Sequence, residues 1–494
     1  MITVILLRFQ KQNLQDRFGH HRRDSIDDLS DLEEDSAPLA SLQKTRSELE
    51  IDELGKTETT KIWIGKDYVN FIHKDFVDVA NPFEDFIDRN KTPRMPWHDI
   101  GAVVYGASAR DVARHFIARW NFTKTEKFKG NKNYPLLLPK SYKTCTVPQH
   151  IKDITYQATT QILRSSCGWS VGIDTVEQSI HTAYLNAIIN AKHYIYIENQ
   201  FFVSFVEDHN IVKNEIADAL YERIVTAYKR KETFRVYVMM PLLPAFEGEI
   251  GKTRGGFAIC AVVNWNYSSM SWGSNSLWGR LQQEVDDPMK YLIFCGLRTH
   301  SELDEKLVTE LVYVHSKMMI VDDDTVIIGS ANINDRSMLG DRDSEMAVLV
   351  QDTQKFPVKM NGKRHMAGKF ASSLRRTLFR EHLGLSDTDT SVDLSDPVCD
   401  NFYKNVWIQQ AGINTTIFEK VFHCVPTDLA RSFDELEDYQ ATPALVETNP
   451  MKAREELSKV KGYVVLMPLH FLEQESNILP AMKAEMLLPT ITWT

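Results

Sequence analysis

One stretch of the chain combines the side chains that chemistry on a phosphate diester requires. An imidazole exchanges protons near neutral pH because its unperturbed pKa is about 6.5, and an ammonium neutralises phosphate oxygens. Hydroxyl and amide groups can donate to the non-bridging oxygens, where negative charge grows during phosphoryl transfer. The residues concerned are His315, Lys317, Asp322, Ser330 and Asn332.

Apolar runs on either side of His315 and Lys317 predict the strands that would position them. Residues i and i+2 of a strand point to the same face, so the imidazole and the ammonium should project together. A tight turn would then return Ser330 and Asn332 beside the imidazole. The predicted elements are strand 311–314, strand 318–321, turn 322–325 and strand 326–328.

A buried pair of strands with one hydrogen-bonded histidine and an acidic turn is the alternative interpretation. The Gly-Ser-x-Asn element after the second strand argues against it. The complete spacing, H-x-K-x4-D-x6-G-S-x-N, resembles that of the phospholipase D superfamily.

Further motifs make the chain similar to the eukaryotic, phosphoinositide-dependent phospholipases D of the mammalian type. The resemblance covers residues from about 60 to the end. Its motifs lie at 63–67, 92–99, 110–122, 195–202, 241–244, 329–345 and 493–494. It implies an α/β fold, in which residues 57–494 form a phospholipase D-type C-terminal catalytic lobe with a mixed β-sheet flanked by helices.

Residues 1–56 change from basic at 17–23 to acidic at 27–34 and lack a periodic apolar pattern, so we expect a disordered remnant of the family's inter-lobe linker. Downstream, alternating patterns indicate an α/β order. Apolar residues at helical spacing also predict a helix through residue 374, with Arg375, Arg376 and Arg380 off its apolar stripe. The other predicted elements are helix 179–190, strand 193–197, helix 210–229 and strand 234–240.

The family's catalytic domain carries two such motifs, one in each lobe, whereas this sequence carries one. His73-Lys-Asp75 lacks the required spacing, and His150-Ile-Lys152 is not followed by the aspartate or the Gly-Ser-x-Asn element. We therefore expect a fragment that supplies half of an active site and is weak or inactive alone. Pairing of two copies through a twofold contact is the alternative.

The resemblance implies roles for the matching positions. His315 would act as general acid and then general base, while the nucleophilic histidine would come from the N-terminal lobe. Lys317, Ser330 and Asn332 would hold phosphoryl oxygens, and no metal would be required. Glu345, about 30 residues beyond the histidine, would accept a hydrogen bond from the imidazole. Asp322 lies five residues past Lys317 and faces the turn, so its position in the sequence favours a role in ordering the hairpin over contact with the substrate.

Two other groups of residues allow alternative interpretations. Glu198 and Asn199 either line the cleft or only cap a strand. Clustered cations beginning on a helix would form a solvated face in most proteins, but here the resemblance implies a site for phosphatidylinositol 4,5-bisphosphate as activator. These cations are Arg110, Arg114, Arg119, Lys124, Lys127 and Lys129, of which Arg114 and Arg119 are favoured over the lysines.

Composition restricts the class of protein. The 494 residues carry a net charge of −10, which argues against nucleic acid as a partner. Six cysteines lack metal-ligand spacing, and no window approaches the roughly 20 apolar residues that span a bilayer. We expect a cytoplasmic protein that binds peripherally to endomembranes or the plasma membrane.

The sequence is compatible with three functions. The first is a lobe that hydrolyses phosphatidylcholine to phosphatidic acid and choline, or transfers the phosphatidyl group to a primary alcohol, through a phosphohistidine. The others are an inactive phosphoinositide-binding regulator and a homodimeric nuclease. The family's partners would be phosphatidylcholine membranes, phosphoinositides, Arf and Rho GTPases and protein kinase C.

Overall fold

A computed structural model describes residues 2–10, 88, 91–205, 211–246, 250 and 256–475. Strands and helices alternate through most of these ranges. The strands are β1 Ile2–Gln10, β2 Trp97–Val104, β3 Tyr156–Ser166, β4 Glu177–Gln178, β5 Tyr194–Glu198, β6 Arg235–Met239, β7 Leu292–Leu303, β8 Lys306–Val314, β9 Met318–Val321, β10 Thr325–Gly329, β11 Glu345–Asp352, β12 Lys355–Met360, β13 Lys363–Gly368 and β14 Val464–Leu466.

The helices range from single turns to the long helix that follows β2. They are α1 Ala107–Lys127, α2 Gln149–Asp153, α3 Gly168–Val171, α4 Ser179–Asn190, α5 Ile216–Lys229, α6 Phe257–Met270, α7 Leu277–Glu284, α8 Asp335–Met338, α9 Lys369–Leu383, α10 Asp400–Phe402, α11 Gln409–Phe422, α12 Phe433–Ala441, α13 Leu445–Thr448 and α14 Pro450–Leu457. A π-helical turn, Tyr403–Ile408, joins α10 to α11, and 3₁₀ turns cover Tyr142–Thr144 and Pro288–Lys290.

Twelve strands of the described residues form one mixed sheet, in the order β1-β2-β8-β7-β6-β5-β9-β10-β11-β3-β4 with β14 beside β7. The pairs β2/β8, β5/β6 and β6/β7 are parallel, and the other pairs are antiparallel. Three residues, 315–317, carry the chain from β8 into β9, although three other strands separate these two in the sheet. The candidate catalytic residues therefore lie where the chain crosses from one part of the sheet to another.

The sheet separates two apolar cores, because alternate residues of a strand point to opposite faces. Ile195 and Ile197 of β5 enter the core that contains α4, α5 and α6. Tyr194 and Tyr196 enter the second core, together with α9 and the π-helical turn. Burial on both faces holds the central strands firmly, so they can position side chains at their ends.

This architecture confirms the predicted α/β class, with a mixed sheet flanked by helices. The helix predicted at 179–190 has those bounds, the helix predicted at 210–229 begins at Ile216, and the predicted hairpin is β9 and β10. The boundary between residues 1–56 and 57–494 stays a prediction.

Some predicted features fall outside the described residues. They include the motifs at 63–67 and 493–494, His73, and all of residues 1–56 apart from the range 2–10. Ile2–Gln10, placed in the predicted disordered segment, forms a strand that pairs with both β2 and β3. Its start, Ile-Thr-Val-Ile-Leu-Leu, is rich in the residues that favour strands.

The position predicted for Arg375 is wrong, since its side chain lies fully inside the second core. Its guanidinium donates two hydrogen bonds to the buried Asp323 carboxylate, Nε to Oδ1 at 2.7 Å and Nη2 to Oδ2 at 2.8 Å. A third goes to the carbonyl of Leu394. Such bidentate pairing compensates the desolvation of both charges, which a periodicity argument cannot anticipate.

Candidate active site

His315 is held by a carboxylate from a distant part of the sequence. Its Nδ1 lies 2.8 Å from Oδ2 of Asp99, and both side chains are about one-third exposed. The contact follows from the parallel pairing of β2 with β8, in which the backbone N–H of His315 donates to the carbonyl of His98 at 2.7 Å. The ring of Trp97 covers the imidazole, with centroids 4.7 Å apart.

The charge state of Asp99 determines which nitrogen of the His315 imidazole is left for proton exchange. Burial acts to raise the pKa of Asp99, but hydrogen bonds from His315 and the N–H of Ile100 overcome this effect, and the net pKa is lowered. The carboxylate is therefore ionised at neutral pH, so Nδ1 of His315 carries a proton and donates it. Nε2 has no hydrogen-bonding partner within the described part of the chain and is left for proton exchange.

The prediction that Glu345 accepts the imidazole hydrogen bond is wrong. Its two carboxylate oxygens instead accept from the hydroxyls of Ser330, at 2.5 Å, and Ser337, at 2.9 Å. Glu345 begins β11, which pairs with β10, so its side chain meets the end of β10 and not the end of β2. Burial raises the pKa of Glu345 despite both hydroxyl donors.

Lys317 lies deeper than His315, with a side chain only 8% exposed. Its ammonium donates to Oε1 of Gln200 at 2.9 Å and to the backbone carbonyl of His315 at 2.6 Å. Burial lowers the pKa of Lys317 to about 8, although the carboxylates of Asp99 and Glu345 oppose this effect. A partly desolvated cation between two carboxylates is suited to an incoming phosphate anion.

Ser330 follows β10 and is exposed at the opening of the site. Besides donating to Glu345, its hydroxyl accepts from the N–H of Met346 at 3.1 Å. Gly329 permits this close approach of the strands, because a Cβ there would lie 2.4 Å from Cβ of Ala347. The glycine of the motif thus sets the position of the serine.

Asn332 is carried by a loop that Asn199 holds to the end of β5. The amide oxygen of Asn199 accepts from the N–H groups of Phe201, at 3.2 Å, and Ile333, at 3.1 Å. Among the residues described, the buried amide oxygen of Asn332 has no hydrogen-bond partner. This oxygen can only accept, so Asn332 could bind a phosphate oxygen through its side-chain NH₂ group alone. Asn199 is fully buried and has a structural role.

Asp322 has the structural role that the sequence predicted for it. Its carboxylate accepts three backbone N–H groups, those of Lys192, His193 and Tyr194, at 2.7, 2.8 and 2.9 Å. These bonds tie the β9–β10 turn to the start of β5, at the opposite end of β9 from His315.

Glu198 does not line the cleft but forms a buried network behind it. Its carboxylate contacts Nε2 of His98 at 2.8 Å, Nε2 of His382 at 3.0 Å and the hydroxyl of Tyr196 at 2.5 Å. Burial acts to lower the pKa of His98, but the Glu198 carboxylate raises it to about 10. His98, Glu198 and His382 are grouped closely enough to hold a metal ion, but Glu198 is hydrogen-bonded directly to both histidines. The network instead fixes the strand that carries Asp99.

The predicted headgroup cluster is divided by the geometry of α1. At about 100° per residue, Arg110, Arg114 and Lys124 lie on one side of the helix, and Arg119 lies about half a turn away. The four side chains therefore do not form one patch, and only three of them share a face.

Two of these three cations bind the loop that follows α1. Arg114 donates to the carbonyl of Lys140 at 3.2 Å and lies over the ring of Tyr142, 3.9 Å from its centroid. The ammonium of Lys124 donates to the carbonyls of Phe128 and Asn131, at 2.6 and 2.5 Å. Much of their hydrogen-bonding capacity is thus used inside the protein.

Sequence reasoning missed Asp99 and Gln200 as members of the site. Both lie inside motifs that the resemblance had marked, at 92–99 and 195–202, so polar residues at the ends of those motifs were the available signal. His150, the second partial motif, lies on the short exposed helix α2, away from these contacts.

Comparison with known proteins shows what this chain is similar to. Residues 64–411 match the family model described as Phospholipase D. Phospholipase D1 of Homo sapiens is 49% identical over 477 residues, which cover 96% of this chain and 44% of that protein. Phospholipase D2 of Bos taurus is 46% identical over 478 residues, covering 96% and 50%.

The chain spans about half the length of these curated relatives. A solved structure, the phospholipase D family member Nuc from Salmonella typhimurium, aligns with 45% of this chain and 91% of its own at 21% identity and a TM-score of 0.23, a superposition too loose to argue from. No helix in the described ranges is long and apolar enough to cross a bilayer.

Proposed function

The chain belongs to the phospholipase D family, and we propose on that basis that it supplies one half of a phosphodiesterase active site. The substrate would be phosphatidylcholine and the products phosphatidic acid and choline. The second half, with its own histidine, would come from an N-terminal lobe that carries the other motif of the family.

The observation that carries this proposal is the pair of His315 and Asp99 beside a desolvated lysine. The hydrogen bond of 2.8 Å holds the ring through Nδ1, so Nε2 is the nitrogen that can give a proton to a leaving oxygen. The ammonium of Lys317 and the side-chain NH₂ group of Asn332 would donate to the non-bridging oxygens, and Ser330 would do so by exchanging its bond to Glu345 for one to the phosphate.

The proposed cycle has two steps. The imidazole of the other lobe bonds to phosphorus as the bond to the choline oxygen breaks, and protonated His315 gives its Nε2 proton to that oxygen. His315 then removes a proton from water or a primary alcohol, whose oxygen displaces the imidazole from phosphorus. The cycle uses two imidazoles and an ammonium, and it includes no metal ion.

The proposed regulators of the chain are those that its membership of the family suggests. Phosphatidylinositol 4,5-bisphosphate would act as activator at the face of α1 that bears Arg110, Arg114 and Lys124, with Arg119 outside the headgroup contact. Arf and Rho GTPases and protein kinase C are the protein partners that membership suggests, at a peripheral location on membranes.

Complementation tests the proposal. Choline release from phosphatidylcholine vesicles containing the phosphoinositide would be measured for the chain, for the N-terminal lobe of a mammalian-type relative, and for their mixture. We expect release only by the mixture, with loss of at least about a thousandfold in His315→Ala. Robust turnover by the chain alone would contradict the half-site, and a mixture in which His315→Ala has no effect would contradict the role of the residue.

A further inference from the structure

The segment after α1 exposes more large apolar side chains than its neighbours do. Leu136 is 61% exposed and Leu138 is 86% exposed, and both lie in the loop of residues 128–142. Aromatic rings adjoin them, in a row formed by Phe116, Trp120, Tyr134 and Phe128 with successive centroids 5.2 to 6.2 Å apart. We call residues 128–142 the apolar loop.

The apolar loop is held in one conformation by α1. The side-chain amide of Asn121 bonds to both backbone groups of Leu137, accepting from its N–H at 2.8 Å and donating to its carbonyl at 2.9 Å. The indole of Trp120 donates to the carbonyl of Pro135 at 2.8 Å. Arg114 and Lys124 bind the two ends, as described above. The exposure of the leucines is thus imposed by hydrogen bonds to the helix.

These bonds decide which side chains point outward. Leu137 faces α1 and is half-buried, while its neighbours Leu136 and Leu138 are exposed, as expected where successive side chains alternate in extended backbone. Two aliphatic side chains therefore project together from a fixed support.

The surroundings of the apolar loop are strongly basic. Residues 107–153 contain ten Lys or Arg against three Asp or Glu, a net charge of +7, in a chain whose net charge is −10. Five exposed lysines lie in the apolar loop or next to it in sequence, namely Lys127, Lys129, Lys132, Lys140 and Lys143. Aliphatic tips, aromatic rings and a basic rim are the combination that suits the interface of an anionic membrane.

We propose that the apolar loop inserts Leu136 and Leu138 into the acyl boundary of an anionic bilayer while its lysines contact lipid headgroups. The inference deepens the proposed function, because it names the surface that brings the site to a lipid substrate. A protein partner would usually bind two exposed leucines in an apolar groove, and such a groove would give the neighbouring lysines no negative charge to contact. An anionic bilayer offers both an apolar interior for the leucines and negative headgroups for the lysines.

Vesicle binding tests the proposal without measuring activity. The full chain would be sedimented with vesicles of phosphatidylcholine and phosphatidylserine, and with vesicles of phosphatidylcholine alone. We expect binding to the anionic vesicles that weakens with salt, and about tenfold weaker binding by the double variant Leu136→Gln with Leu138→Gln. Met451→Gln, at an 82% exposed apolar position on α14, is the matched control and should bind as the unmodified chain does.

Insertion itself is tested by Leu138→Trp. Its added fluorescence should be quenched by phospholipids brominated near the headgroup end of the acyl chain. The proposal is overturned if the unmodified chain does not bind anionic vesicles, if the double variant binds them equally well, or if bromolipids leave the added fluorescence unchanged. If the double variant binds vesicles normally but is impaired in complementation, the apolar loop contacts the other lobe and not the bilayer. This result would also overturn the proposal.

The two proposals can fail separately. If His315→Ala leaves choline release by the mixture unchanged while vesicle binding still depends on Leu136 and Leu138, only the catalytic proposal fails. If the double leucine variant binds anionic vesicles as well as the unmodified chain while His315→Ala abolishes choline release, only the proposal for the apolar loop fails.

Discussion

The imidazole of His315 and the carboxylate of Asp99 are joined by a hydrogen bond of 2.8 Å across 216 residues of sequence. The ladder between β2 and β8 creates this contact, and Trp97 covers one side of the ring. A strand with no catalytic motif of its own therefore determines the orientation and tautomer of the residue that we propose as general acid and base.

Removing the charge of Asp99 should lower catalysis much more than stability. In Asp99→Asn the carboxylate that keeps a proton on Nδ1 of His315 is lost, so the ring can adopt the wrong tautomer and kcat for choline release by the complemented enzyme should fall by roughly 10² to 10⁴. KM should change little, because Asp99 is not expected to touch the substrate. Asp387→Asn, at an exposed position, is the control, and an equal loss in both variants would refute the role of Asp99.

Lys317 should impose an upper pH limit on activity. Its folded-state pKa of about 8 means that the cation is lost as the pH rises through that value, so kcat/KM should decline above about pH 8. In Lys317→Arg the charge persists, and this decline should move to higher pH even though the maximum is lower. A pH profile unchanged by the substitution would count against the assignment.

The lowered pKa of Lys317 also predicts that the free energy of unfolding depends on pH. The folded pKa of Lys317 lies below its unfolded value of about 10.4, so between these values the unfolded state binds more protons. The contribution of this group to the free energy of unfolding should therefore rise with pH over that window. Urea unfolding at pH 7.5 to 10.5, compared between the unmodified chain and Lys317→Met, measures this contribution.

Asp323 and Arg375 should make the fold sensitive to acid. Hydrogen bonds and charge from Arg375 lower the pKa of Asp323 even though burial opposes this, so the pair stabilises the protein above the unfolded pKa and loses that effect as the pH falls through the lowered folded pKa. Asp323→Asn should reduce the free energy of unfolding by about 3 to 5 kcal/mol. Asp324→Asn, which removes a partly exposed ion pair with Lys355, should cost at most about 1 kcal/mol. Comparable losses in the two variants would contradict the argument.

Gly329 should tolerate no side chain. In Gly329→Ala the added Cβ would lie 2.5 Å from the carbonyl oxygen of Met346, so β10 and β11 must separate and Ser330 must move. We expect a loss of about 1 to 3 kcal/mol in the free energy of unfolding, together with reduced choline release. Gly412→Ala on α11 meets nothing closer than 3.8 Å and should be neutral or stabilising, which makes it the control for thermal denaturation.

The parts of the structure that were predictable from sequence are those set by local patterns. The β9–β10 hairpin and helix α4 follow from apolar runs and periodicity, and the turn role of Asp322 follows from its place between two strands. The partner of His315 was not predictable in this way, because Asp99 reaches it only through strand pairing. Arg375 was misplaced for the same kind of reason, since its burial depends on the carboxylate of Asp323 on another element.

The division of roles between the two histidines can be measured directly with a substrate whose leaving group needs no proton. Phosphatidyl-p-nitrophenol would be mixed with the complemented enzyme carrying His315→Ala, and p-nitrophenol would be followed during the first turnover. Under the proposed mechanism the other lobe supplies the nucleophile. We therefore predict a burst of about one equivalent per site and then very slow release, since no general base would remain to hydrolyse the phosphohistidine. Absence of the burst, with phosphorylation of His315 in the unmodified chain, would show that His315 is the nucleophile and contradict the account.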